Sequence, residues 1–91
     1  MTHVRPHNQL RDYRKRRQLR LRDVALLVGQ REAAHISHWE KGARAPSLDN
    51  ALRLSAALKC PVEILFFERF DQLRKTIYEQ GIKHSIRLSY E

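Results

Sequence analysis

The segment GQREAAHISHWEKGARAPSL, Gly29–Leu48, decides how this chain folds. Ile36 and Trp39 stand three residues apart, between Gly29 and Gly42, and Pro46-Ser47 follows. That spacing predicts one buried face of a short helix. Glycine readily takes the left-handed conformation that closes a helix, so Gly29 ends the preceding helix and Gly42 ends this one. Lys41 complements the carboxyl end of the helix dipole. Pro46 cannot continue a helix, and Ser47 is a good cap for the next. With Ile36 and Trp39 turned inward, the opposite face carries Ala33, Ala34, Ser37, His38 and Lys41. Its leading turn is uncharged, in a chain whose net charge is +8.

Working outward, apolar residues keep the helical period. Leu10 and Tyr13 mark a first run, and Leu21, Val24, Ala25 and Val28 a second. Leu48, Ala51, Leu52 and Leu58 follow Ser47, and Val62, Leu65, Phe66, Leu73 and Ile77 follow Pro61, which suits the first turn of a helix. The pattern predicts an all-α fold: a compact five-helix domain over residues 8–68, with residues 69–91 as a C-terminal extension. The fifth helix is expected to run through FDQLRKTIYEQ toward Gly81. Beyond it Ile82, His84, Ile86, Leu88 and Tyr90 alternate with polar residues, a strand-like pattern in a tail. A lone strand is unstable in water, so the tail must pair, pack or stay disordered.

Ninety-one residues hold one small domain. No apolar run approaches the ~20 residues of a membrane span, and the N-terminus has no apolar signal core, so a cytoplasmic protein is expected. A single cysteine, Cys60, offers neither an internal disulfide nor a metal framework. His35 and His38 share a helix face but have no third ligand nearby, so no metal or other cofactor is expected. No nucleophile–base set, phosphate loop or carboxylate pair stands out, which argues against an enzyme. Residues 1–31 hold nine Lys/Arg against two Asp, a local charge of +7. A basic end of this kind suits a polyanion, though it serves solubility equally well.

The stretch LRDYRKRRQLRLRDVALLVG together with ISHWEKGARAPSLDNALRLSAALKCPVEILF resembles the Cro/repressor-like helix-turn-helix family, the Xre type of bacterial and phage regulators. The landmarks are Arg14, Leu19, Ala25, Gly29, Ile36-Ser37, Glu40, Gly42, Pro46-Ser47, Leu58 and Leu65. The resemblance implies a transcriptional regulator at the nucleoid that binds double-stranded DNA with helix three, about Ala33–Lys41, in the major groove. It also implies an ion pair between Arg14 and Glu40 that ties helix one to helix three. Four departures stand out. The turn Gln30-Arg31-Glu32 has one extra residue, and Leu21 replaces a glutamine that touches the DNA backbone. Arg20 replaces the Ser/Thr cap of helix two, at a cost of about 1 kcal/mol. Lys59 takes a left-handed position usually held by glycine.

On this reading Ala33 and Ala34 pack against thymine methyl groups, and Ser37 and His38 hydrogen-bond base edges. Arg14, Arg17, Arg20, Arg31, Lys41 and Arg44, with Ser47, are the phosphate candidates. The uncharged tip thus faces bases, and the charge faces the backbone. Phe66, Phe67, Phe70, Leu73, Ile77 and Tyr78 exceed what one short helix needs to cover this core. Homodimerisation through them is the first expectation. The alternatives are a protein partner, as in an antitoxin-like module that also binds its promoter, and a tail folded back on its own domain.

Overall fold

The structure, a computed structural model, describes residues 8–88. Six helices follow in order: α1 (Leu10–Arg16), α2 (Leu21–Leu27), α3 (Ala33–Glu40), α4 (Leu48–Leu58), α5 (Val62–Leu65) and α6 (Phe67–Lys83). The first five form a bundle around Leu10, Val24, Ala25, Val28, Ile36, Trp39, Leu54, Leu58, Cys60 and Leu65, all buried. The most extensive contact is between α2 and α3, and the small side chain of Ala25 on α2 is buried in the core. Each fully buried aliphatic side chain contributes about 1.5–3 kcal/mol of transfer free energy, which is what holds five short helices together.

Helix ends reuse one solution. After α2 and α3 the chain turns through Gly29 and Gly42 at φ +74° and +73°, and the next residue's N–H returns to the carbonyl five back (Gln30 to Ala25, Ala43 to His38). Gln18, Lys59 and Ser85 do the same at φ +57°, +52° and +55° after α1, α4 and α6. For these three non-glycine residues the left-handed region costs on the order of 1 kcal/mol each. Ser47 caps α4 by accepting the Asn50 N–H at 3.2 Å, as its position predicts. The missing Ser/Thr cap at Arg20 is partly made good: the Asp23 carboxylate accepts the Arg20 N–H at 2.8 Å.

The expected fifth helix is two. Gln9 N–H bonds the Leu65 carbonyl at 2.7 Å, taking the acceptor that Arg69 N–H would need in a continuous helix. The chain kinks at Phe66 (φ −112°, ψ 48°), and α6 leaves the bundle, packing chiefly on α5.

Gly81 does not end α6. It lies inside the helix, buried, because the chain returns over it: Ile86 N–H bonds the Gly81 carbonyl at 2.8 Å. A Cβ at Gly81 would stand 3.0 Å from Leu88 Cδ1. The strand-like alternation from Ile82 onward does not form a strand over the described residues, and its last position lies beyond them. Ile82 and Lys83 are helical, and residues 84–88 form a turn and an irregular return. Tyr90 lies outside the described residues.

Candidate nucleic-acid interface

Helix α3 is fixed from below and free above. Ile36 and Trp39 are buried, while Ala34, His38 and Lys41 are exposed and Ala33 and Ser37 half-buried on the outward side. The helix starts at Ala33 despite the extra turn residue, because Gly29 completes the end of α2 and Glu32 is extended (φ −123°, ψ 133°).

Two polar contacts hold α3 at its ends. At the carboxyl end, Arg14 Nε and Nη2 donate to the two Glu40 carboxylate oxygens at 2.6 and 3.2 Å. Arg14 Nη1 donates to the Leu19 carbonyl at 3.0 Å. The two side chains are only 11% and 8% exposed, so this is a buried, bidentate pair with every guanidinium nitrogen engaged. At the amino end, His35 Nδ1 lies 2.8 Å from Gln30 Oε1. Gln30 Nε2 donates to Asn50 Oδ1 on α4. Asn8 adds a further clamp, donating to the Trp39 carbonyl at 2.8 Å while accepting the Leu10 N–H.

The cations sort into spent and unspent. Arg14 is consumed by the Glu40 bridge. Arg17 donates from Nε to the Leu58 carbonyl at 3.1 Å and from Nη2 to the Lys59 carbonyl, capping the left-handed end of α4. Arg20 is exposed and pairs with Asp23 at 3.2 Å. Its guanidinium, and then its N–H, hold the Asp23 carboxyl below the ordinary carboxylate range. The side chains of Arg31, Lys41 and Arg44 are exposed and make no ion pair among the described residues. Arg44 and Ser47 line a shallow cleft with His35, His38 and Asn50, where the start of α4 meets α3.

Sequence reasoning missed Gln30, Asn50, Arg53 and Asn8. Gln30 and Asn8 bond to other elements, and Asn50 bonds both Gln30 across the turn and Arg53 on its own helix, so only the Arg53–Asn50 spacing of three is local.

Away from α3, the apolar residues of α6 divide. Phe66 packs on the bundle core and Phe67 is half-buried, whereas Phe70, Leu73, Ile77 and Tyr78 are each about half exposed along the free helix. Among the described residues, no group of three or more His, Cys, Asp and Glu is placed to hold a metal ion, and no helix is long and apolar enough to cross a membrane.

A family model described as helix-turn-helix matches residues 10–65. Among solved structures, the restriction-modification controller protein C.AhdI from Aeromonas hydrophila is similar at 33% identity and TM-score 0.58, over 64% of this chain and 86% of that one. No curated protein sequence matches. The matched family segment ends before α6 begins.

Proposed function

The chain belongs to the Xre-type helix-turn-helix family of DNA-binding transcriptional regulators, and on that premise we propose that it reads duplex DNA with α3 in the major groove. The observation that carries this is the outward face of α3, held at Glu40 and flanked by Arg31, Lys41 and Arg44, which make no ion pair among the described residues. Ala33 and Ala34 meet thymine methyls, and Ser37 and His38 meet polar base edges. Arg20, Arg31, Lys41 and Arg44 serve phosphates, with Ser47 and the N–H groups at the start of α4 beside them.

Arg14 and Arg17 donate into the fold, which leaves Arg31, Lys41 and Arg44, without an ion pair among the described residues, and Arg20, exposed beside Asp23, as four cations per copy to meet phosphates. The expected slope of log affinity against log salt is about −4 per bound copy. Lys41→Ala and Arg44→Ala should each lower affinity for all duplexes alike and reduce that slope by about one. An unchanged slope in both variants refutes the placement of the DNA backbone.

Residues 8–68 act as the DNA-binding unit and residues 69–91 as an appended interaction segment. Phe70, Leu73, Ile77 and Tyr78 on the projecting α6 favour a homodimer, which sets two copies of α3 about 34 Å apart, one turn of DNA. Capture of a different protein by α6 is the competing outcome, and sedimentation of the purified chain alone separates the two.

A further inference from the structure

The polar chain at the amino end of α3 has a direction, and Arg53 sets it. Arg53 Nη1 donates to Asn50 Oδ1 at 3.0 Å. A guanidinium has no acceptor, so the Asn50 amide must turn its oxygen toward Arg53. Gln30 Nε2 meets that same oxygen at 3.4 Å, filling its second lone pair. Gln30 therefore presents its NH2 to Asn50 and has only its carbonyl oxygen for His35. Because Gln30 Oε1 is an acceptor, the proton between it and His35 Nδ1 belongs to the imidazole. Neutral His35 is thus held as the Nδ1–H tautomer, with Nε2 left as an acceptor.

Gln30 is also where the three elements of the motif meet. Its N–H closes the end of α2 on the Ala25 carbonyl at 2.8 Å, and its side chain reaches α3 and α4. It is the first residue of the turn that carries one residue more than the family pattern. The Arg14–Glu40 pair fixes only the far end of α3. Among the described residues, Gln30 supplies the side-chain hydrogen bonds that tie the end carrying Ala33, Ala34 and Ser37 to α4.

We infer that Gln30, Asn50 and Arg53 are positioning residues that act through His35 to fix the amino-terminal, base-reading end of α3. This rests on the proposal that α3 reads DNA. A rigid reading end separates right from wrong base pairs, whereas phosphate contacts tolerate a looser helix. Loss of the chain of hydrogen bonds is therefore expected to reduce discrimination and leave non-specific affinity intact.

The test uses the whole chain and a charge-neutral substitution, Gln30→Met, beside Arg53→Lys, which keeps a donor for Asn50. The first readout is the His35 tautomer in the DNA-free protein, from its ring nitrogen NMR shifts. Wild type and Arg53→Lys should show Nδ1–H, and Gln30→Met should move toward the Nε2–H form favoured by free histidine. The second is the ratio of affinities for a duplex selected from a randomised library and for poly(dI-dC). That ratio should fall about tenfold in Gln30→Met, the discrimination carried by about one base pair, and hold in Arg53→Lys. The poly(dI-dC) affinity and its salt slope should not change. An Nε2–H tautomer in wild type overturns the inference, and so does a Gln30→Met protein that melts normally and keeps the full ratio. If wild type selects no sequence, the DNA reading itself has failed, and the tautomer still decides the hydrogen-bond chain.

Discussion

Replacing Glu40 by alanine removes both acceptors of the Arg14 guanidinium in a place where water has little access. The pair is bidentate at 2.6 and 3.2 Å, and its side chains are 11% and 8% exposed. Breaking a buried pair from one side costs about 3–5 kcal/mol, because the remaining charge stays desolvated. A domain of this size is stable by only about 5–15 kcal/mol, so the loss is a large share of the total. At about 4–8 °C per kcal/mol, a loss of about 3 kcal/mol lowers Tm by roughly 12–24 °C. Removing both partners behaves differently. In Arg14→Met/Glu40→Leu no charge is stranded, and apolar replacement of a buried pair is often close to neutral. Only the Arg14 bond to the Leu19 carbonyl, 3.0 Å long, is lost without replacement, at about 1 kcal/mol. Urea unfolding of wild type, Arg14→Met, Glu40→Leu and the double variant closes the cycle. A coupling energy of about 2 kcal/mol or more is expected, with a salt slope for DNA binding in the double variant equal to wild type. A Glu40→Ala cost below about 1 kcal/mol, or a slope reduced by one unit in the double variant, refutes the assignment of Arg14 to the fold.

Other substitutions probe the remaining elements. Lys59 stands at φ +52°, so Lys59→Gly is expected to raise stability by about 0.5–1 kcal/mol, read as a higher urea midpoint with unchanged m-value. Hydrogen bonding to Arg20 depresses the Asp23 carboxyl, so its stabilisation is present above the unfolded value of about 3.9 and fades as pH falls through the lower folded value. Wild type and Asp23→Asn should therefore differ in midpoint at pH 6 and converge toward pH 2. If α6 forms the proposed homodimer, Leu73→Glu and Ile77→Glu, which place charge in its exposed apolar face, should give a monomer by analytical ultracentrifugation, with the fold intact by circular dichroism.

What local chemistry dictates was legible in the sequence. Ile36 and Trp39 announced the buried side of α3, Gly29 and Gly42 its boundaries, and Ser47 the start of α4, because each acts within one turn of its own position. The bridge between Arg14 and Glu40 was legible only through the family resemblance, since the residues lie 26 positions apart. The kink at Phe66 left no trace, because its cause is Gln9 at the other end of the chain. Gly81 misled for a related reason: it looked like a stop but is a seat for Leu88. Arg17 and Arg20 looked alike as surface cations. Both are exposed, and only the structure separates the one that donates to the end of α4 from the one that pairs with Asp23.

The most direct test of α3 as a reading helix is selection of bound duplexes from a randomised library at near-physiological salt. Recovery of an inverted repeat with half-site centres about ten base pairs apart is the predicted result, with Ala33→Arg or His38→Ala changing the preferred bases within each half-site. Failure to enrich any sequence, with binding that disappears by about 0.2 M salt, would contradict it.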